Sequence, residues 1–242
     1  MVTEYDGTDF VGYQFQNNGR SVQGELNRAL SEVYKTEIKT VGCSRTDAGV
    51  HARGHVSHAD VPFKIPEDKI PYAINSFLPE DIAIKKAYYV EDTISARFDT
   101  KGKRYCYRIY GGDTRSPLLS RYALYVPFKF DVVKMQEAAQ YFSGEYDFAS
   151  FCASGGSQLT TVRKVNEVKV EYSKTQKEVL EITVRGEAFL YNMVRIISGT
   201  LLEVGTGKFS PEDIPKIISA CDRKAAGRTL PANGLTLEEV YY

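Results

Sequence analysis

The chain has no tryptophan, only three methionines and three histidines, and its four cysteines include no CxxC pair. Cysteines as scattered as Cys43, Cys106, Cys152 and Cys221 build neither a disulfide framework nor a zinc ribbon, and they suit a reducing compartment. Net charge is missing too, because 31 Lys and Arg balance 31 Asp and Glu. No global field therefore draws the chain to nucleic acid or to an anionic membrane; only local patches can do so. No apolar run approaches the ~18 to 20 residues of a membrane span. The opening MVTEYDGTDF puts acids where a signal peptide needs a basic start and an apolar stretch. These absences predict a cytoplasmic protein that does not enter membranes. Present in their place are 43% apolar residues, enough for a core, and 17 tyrosines. Tyrosine offers flat faces for packing or for stacking on bases, and filling cores and strands is its ordinary use.

Val22, Leu26, Ala29, Leu30, Val33 and Tyr34 recur at helical spacing behind Ser21, an acceptable N-cap, and predict an amphipathic helix over 22–36. Strands are expected over 38–43, 56–61 and 82–89, with a short helix over 66–78 closed by Pro79. The first strand, just ahead of Tyr5, is expected to be short. From Lys103 onward, Arg104, Cys106 and Arg108 alternate with Tyr105, Tyr107 and Ile109, the period-2 pattern of a strand with one basic and one apolar face. Asp131 caps a helix whose stripe is Val132, Met135, Ala138, Ala139 and Phe142. A Ser/Gly-rich loop at 152–158 leads to strands over 165–172 and 179–185, and then to a helix over 189–204. Ser210-Pro211-Glu212-Asp213 is a strong helix start, and 234–242 alternates like a last strand. Strands that cluster without a regular βαβα cadence predict an α+β protein with a mostly antiparallel sheet. Two similar halves, about 1–100 and 101–242, are expected, although no sequence repeat marks them.

All three histidines fall in the stretch Cys43 to His58. A metal site would use His51 and His55, four apart, with Cys43 or Asp47. Gly49 and Gly54 break a helix there, however, and Gly54 to Asp60 alternates like a strand, which turns His55 and His58 to opposite faces. The residues ahead of the histidines, Arg45-Thr46-Asp47-Ala48-Gly49-Val50, lie between two expected strands and form a loop or tight turn, where reactive side chains tend to sit. Small neighbours leave the Asp47 carboxylate open to another molecule. Spacing alone still favours an ordinary Asx-turn residue with Arg45 as its solvated neighbour.

Sequence motifs reverse that balance. Ser44-Arg45-Thr46-Asp47-Ala48-Gly49-Val50-His51-Ala52 is accompanied in order by Tyr5-Asp6-Gly7-Thr8, Gly12-Tyr13-Gln14, Ser21-Val22-Gln23, Ala96-Arg97-Phe98, Lys103-Arg104-Tyr105-Cys106-Tyr107, Asp147-Phe148-Ala149-Ser150-Phe151, Asn192-Met193-Val194-Arg195 and the terminal Pro231-Ala232 with Gly234-Leu235. Together they resemble the tRNA pseudouridine synthase I (TruA) family over nearly the whole chain. The resemblance implies an isomerase that breaks a uridine N-glycosidic bond, turns the uracil and rejoins it through carbon 5, at tRNA positions 38–40, with no metal and no cofactor. It also implies two ferredoxin-like subdomains that share a mostly antiparallel central sheet, an active-site cleft between them, and a homodimer that takes tRNA.

Residue by residue, the resemblance makes Asp47 the nucleophile, attacking the sugar C1′ or the uracil ring, and Arg195 its salt-bridge partner. A carboxylate suits either attack, since it forms and releases an adduct while a cation keeps it ionised. An arginine amid Phe189, Leu190, Met193, Val194, Ile196 and Ile197 is expected to have a buried acidic partner. Tyr105 aligns with the tyrosine that stacks on the target base, and stacking is worth ~1 to 3 kcal/mol per base. Arg45 is a candidate for bracing the gap left by a flipped nucleotide. Arg97, Lys101, Lys103, Arg104 and Arg108, opposed only by Asp99 and interleaved with Tyr105 and Tyr107, form a basic stripe suited to RNA, which Arg115 and Arg121 extend. The loop 155–159 takes the place of one that touches tRNA in the family. Ser44, Tyr13 and His55 depart from the usual Gly, Trp and Gln; the first two leave the chemistry standing, and His55 bears on details of substrate contact. An RNA chaperone could keep the basic stripe without Asp47, and a metal-dependent hydrolase would use the histidines and Cys43.

Overall fold

The computed structural model describes residues 1–156 and 158–242. Contacts divide the chain into two compact units, Met1–Lys101 with Thr236–Tyr242, and Gly102–Leu235. The first contains β1 (Val2–Tyr5), α1 (Val22–Tyr34), β2 (Val41–Gly42), β3 (His51–His58), α2 (Ile70–Asn75) and β4 (Ile82–Lys86). The second contains β5 (Gly102–Gly111), β6 (Leu124–Val126), α3 (Val132–Ala139), β7 (Gly144–Asp147), β8 (Val162–Tyr172), β9 (Val179–Gly186), α4 (Met193–Gly205) and α5 (Ile214–Ser219). The last strand, β10 (Leu235–Tyr241), returns to the first unit from Thr236 onward. The fold is α+β with mainly antiparallel strand pairing.

In the first unit the strand order is β4-β1-β3-β10, with β2 also on β3. β1 runs antiparallel to β3 and β4, and β10 runs parallel to β3 through Thr236 opposite His51 and Leu237 opposite Ala52. Helix α1 forms as its pattern dictates: the Ser21 side chain accepts the Gly24 N–H, and Val22, Leu26, Ala29, Leu30 and Tyr34 are buried. Burying such aliphatic side chains contributes roughly 1.5 to 3 kcal/mol each. The helix stops at Tyr34, short of the expected 36, because Lys35 turns left-handed at φ 54°. The strand expected over 38–43 shrinks to two residues. Side chains of α1 take over its backbone: Ser31 Oγ accepts the Ile38 N–H and Asn27 Oδ1 accepts the Thr40 N–H.

Strand β4 lies at the edge of this sheet, and Asn75 from α2 guards it. Its amide nitrogen donates to the Ile84 carbonyl at 3.0 Å and its oxygen accepts the Ile84 N–H at 2.7 Å, as a neighbouring strand would. Ile84 is 2% exposed, so water cannot substitute well. Asn75→Ala is expected to cost about 1 to 3 kcal/mol, lowering the melting temperature by roughly 2 to 10 °C. A thermal melt unchanged to within a degree would show that the amide does not guard the edge.

In the second unit β5 pairs β9 antiparallel from Lys103 opposite Gly186 to Tyr110 opposite Val179, β8 follows β9, and β7 closes the order. β6 runs parallel to β5. Helix α3 packs on β8 and α4, and α4 packs on β5. The caps read from sequence form: Asp131 accepts the Val133 and Lys134 N–H groups, and Ser210 and Asp213 make a capping box. The helix expected from 189 begins only at Met193, since Asn192 is left-handed at φ 59°. Asp147-Phe148-Ala149-Ser150-Phe151 is a core element. Phe148 and Phe151 are fully buried with Phe142, and Ser150 Oγ donates to the Ile217 carbonyl while accepting from Asp222 N–H. Of the Ser/Gly-rich loop, Ser157 lies outside the described residues.

Candidate active site

The loop between β2 and β3 carries Asp47 and is held from inside the unit. Tyr5 OH and Thr46 Oγ1 share a hydrogen bond of 2.7 Å, and the Thr46 carbonyl accepts the Tyr13 N–H at 3.1 Å. The Ser44 carbonyl accepts from His55 Nε2 at 2.9 Å. Asp47 itself bridges to Gly12, whose φ of 118° lies in glycine's region; a Cβ there would stand 2.7 Å from the Thr46 carbonyl oxygen. Beyond Asp47 the chain turns tightly, with Gly49 at φ 78° and the Val50 N–H donating to the Asp47 carbonyl at 3.1 Å. Thr46 and Val50 are buried, Arg45 and Ala48 are exposed, and Asp47 is half-buried. A carboxylate on so restrained a backbone is positioned before any partner arrives, the condition for an efficient nucleophile or base.

Each histidine engages its own backbone partner. His51 Nδ1 accepts the Gly7 N–H at 3.0 Å, so that nitrogen carries no proton while the bond stands. Asp6 Oδ1 lies 3.2 Å from the same atom, yet it accepts from the N–H and hydroxyl of Thr8, so we read the contact as a fixed turn rather than a charge pair. His55 faces Ser44, and His58 Nδ1 accepts the Ala96 N–H at 3.0 Å. Among the described residues, no group of three or more His, Cys, Asp or Glu is placed to hold a metal ion. Among them, too, no helix is long and apolar enough to cross a membrane.

In the second unit Tyr105 lies on β5 with 7% of its surface exposed and meets Phe189 edge-on at 5.3 Å between ring centres. Arg195 sits in the first turn of α4, half-buried. Its Nε donates to the Leu230 carbonyl at 2.7 Å and one Nη donates to Asn192 Oδ1 at 2.6 Å. The Leu230 N–H returns a bond to the Arg195 carbonyl at 3.3 Å, so side chain and backbone lock the 230 segment to the helix start. Left-handed Asn192 thus both interrupts the helix and orients the guanidinium.

The basic stripe differs from its expectation. β5 has a strand neighbour on each edge, and both of its faces are largely covered. Lys103 is 8% exposed, Arg104 is half-buried, and Arg108 is spent on Glu181 opposite it at 3.1 Å. Arg97, Lys101, Arg115 and Arg121 are the exposed cations of the stripe, as Arg45 is of the Asp47 loop, with Arg97 lying 5.3 Å from the Phe98 ring centre. Alternation in sequence reported side-chain polarity correctly but not what covers the polar face.

A profile described as tRNA pseudouridine synthase matches residues 1–99 and 138–242. The chain belongs to the tRNA pseudouridine synthase family. Proteins named tRNA pseudouridine synthase A align with it over essentially its whole length. That of Ruminiclostridium cellulolyticum is 46% identical, covering 100% of this chain and 98% of the relative. That of Bacillus licheniformis is 49% identical over 98% and 96%, and that of Bacillus subtilis is 43% identical over the same shares. Within this pseudouridine synthase, the motifs that carried the resemblance contain residues whose part is visible only in three dimensions. Tyr5 reaches Thr46, and Asn192 reaches Arg195. The first contact joins residues far apart in sequence and the second needs a left-handed backbone, so neither spacing nor periodicity could have found them.

Proposed function

We propose that this chain isomerises uridine to pseudouridine in tRNA, at positions 38–40 of the anticodon stem-loop. The restrained loop that presents Asp47, in a chain of this family, carries the reading. Asp47 is the nucleophile. The N1–C1′ bond breaks, the uracil turns, a C5–C1′ bond forms, the C5 proton leaves to water and N1 regains a proton. Arg195 is the cation that pairs with Asp47, and its two anchors fit a fixed guanidinium better than a surface arginine. Tyr105 stacks on the everted base, Arg45 braces the vacated stack, and Arg97, Lys103 and Arg104 contact the RNA, Arg97 being the most exposed of the three.

The reading extends to the whole molecule. The chain divides near residue 100 into a subdomain with the catalytic loop, 1–100, and a second one, 101–242, whose last strand β10 returns to the first from Thr236; both are ferredoxin-like and share one central sheet, with the active site in the cleft between them. The enzyme is a cytoplasmic homodimer that works on tRNA without metal or cofactor. The test is release of tritium from C5-labelled tRNA into water. Release that persists in a chelator supports the synthase. No release from a range of tRNAs, with binding intact, would favour an RNA chaperone, and loss in a chelator would point to a metal-dependent reaction.

A further inference from the structure

We infer that His55, seated on Tyr13 and bonded to the Ser44 carbonyl, is a positioning residue for the nucleophile loop; this rests on the reading of Asp47 given above. His55 is wholly buried, and its ring stacks on Tyr13 with centroids 3.9 Å apart and planes inclined by 23°. The Tyr5 ring lies 6.0 Å away. Ser44 and Thr46 give bonding groups to this aromatic layer, while Arg45 is exposed and Asp47 is half-buried. Three bonding groups of that pair are taken by residues of the same layer. His55 holds the Ser44 carbonyl, the Tyr5 hydroxyl holds the Thr46 hydroxyl, and the Tyr13 backbone N–H holds the Thr46 carbonyl.

The layer is rigid for independent reasons. His55 and Tyr5 come from the paired strands β3 and β1, with His55 directly opposite Thr3. Tyr13 is 2% exposed, and burial above all pushes its hydroxyl pKa well above the ordinary range, so the phenol stays neutral beside the imidazole. Gly42 leaves room for that ring, since a Cβ there would meet the Tyr13 hydroxyl oxygen at 2.6 Å. Three residues before Asp47, the imidazole N–H therefore ties down the Ser44 carbonyl just past the end of β2, where the turn begins. Released at Ser44, the loop keeps its fold through Thr46 but can drift, and displacement of a reacting group by about 1 Å costs on the order of 100-fold in rate.

The experiment compares His55→Leu, His55→Gln and Tyr5→Phe with Asp47→Ala, measuring tritium release under saturating and limiting tRNA and a melting curve for each. His55→Leu, similar in bulk but without a donor, is expected to lower kcat about 10- to 100-fold with KM within about threefold. His55→Gln, whose amide restores a donor, is expected to recover kcat to within about threefold. Tyr5→Phe, which loses one oxygen, is expected to lower kcat without changing KM and serves if His55→Leu does not fold. A purely structural role would lower the melting temperature while leaving kcat per folded molecule unchanged, and that result would overturn the inference. So would a glutamine variant no better than leucine. Tritium release by Asp47→Ala would instead overturn the reading of Asp47; an inactive Asp47→Ala beside a normal His55→Leu would remove the positioning role alone.

Discussion

Asp47→Ala is expected to abolish turnover while leaving the protein folded and able to bind tRNA. In the proposed reaction the carboxylate forms and releases the covalent adduct, and no neighbour in its loop can replace it: Thr46 is buried with its hydroxyl committed to Tyr5, and Ala48 and Gly49 carry no chemistry. Loss of a nucleophile typically costs about 10⁴-fold or more in kcat. The loop itself should survive, because its anchors run through the Ser44 and Thr46 carbonyls and the Gly12 bridge, none of which needs the Asp47 side chain. Affinity for tRNA is therefore expected to stay within about threefold and the melting temperature within roughly 2 °C, less than ~1 kcal/mol of stability. Asp47→Asn, equal in size, should be as inactive as alanine. Residual tritium release above about 1% of wild type in either variant would mean that another group makes the attack.

Arg195→Ala carries the second-largest expected effect, and it is expected to strike chemistry and stability together. A fixed cation beside developing or resident negative charge is worth on the order of 10²- to 10³-fold in rate, so kcat should fall by that much, with tRNA affinity changed far less. Stability should fall as well. Without the guanidinium, the carbonyl of fully buried Leu230 loses its donor, at about 1 to 3 kcal/mol. Arg195→Lys keeps the charge but cannot serve Leu230 and Asn192 with one planar fork, so an intermediate rate is expected. Asn192→Ala removes one anchor and should impair turnover less than either. If Arg195→Ala instead weakened tRNA binding with kcat intact, and did so less as salt was raised, the arginine would be a phosphate contact rather than a partner of the nucleophile.

Much of this was legible because it rests on local chemistry. Ser21, Asp131 and the Ser210–Asp213 box cap where they were read to cap, since each needs only its own side chain and the next turn. What escaped depends on other parts of the chain. The strand over 38–43 gave way because Asn27 and Ser31 outbid a ladder for its N–H groups. Strands as short as β6 and β7 carry too few residues for a period to register. The loop of Asp47 stood out through the family signature, and its supports did not, because Tyr5 and Thr46 lie 41 residues apart and His55 was conspicuous as a possible metal ligand and a departure from the usual Gln, not as a support of the loop. The basic face of β5 was read from alternation, yet what covers that face is a property of the tertiary fold.

The return of β10 to the first unit bears on how the protein is made. Strand β3, which begins where the nucleophile loop ends, takes β10 as its parallel neighbour, and the whole of Gly102–Leu235 is synthesised in between. At ~5 to 20 residues per second, a ribosome needs roughly 7 to 27 s to cross that interval. Throughout it, one edge of β3 waits without its final partner, while the second unit can already fold as a continuous segment. The nascent chain thus acquires its catalytic loop early and the strand that completes the sheet beneath it last, so the first-made unit is the last to be finished.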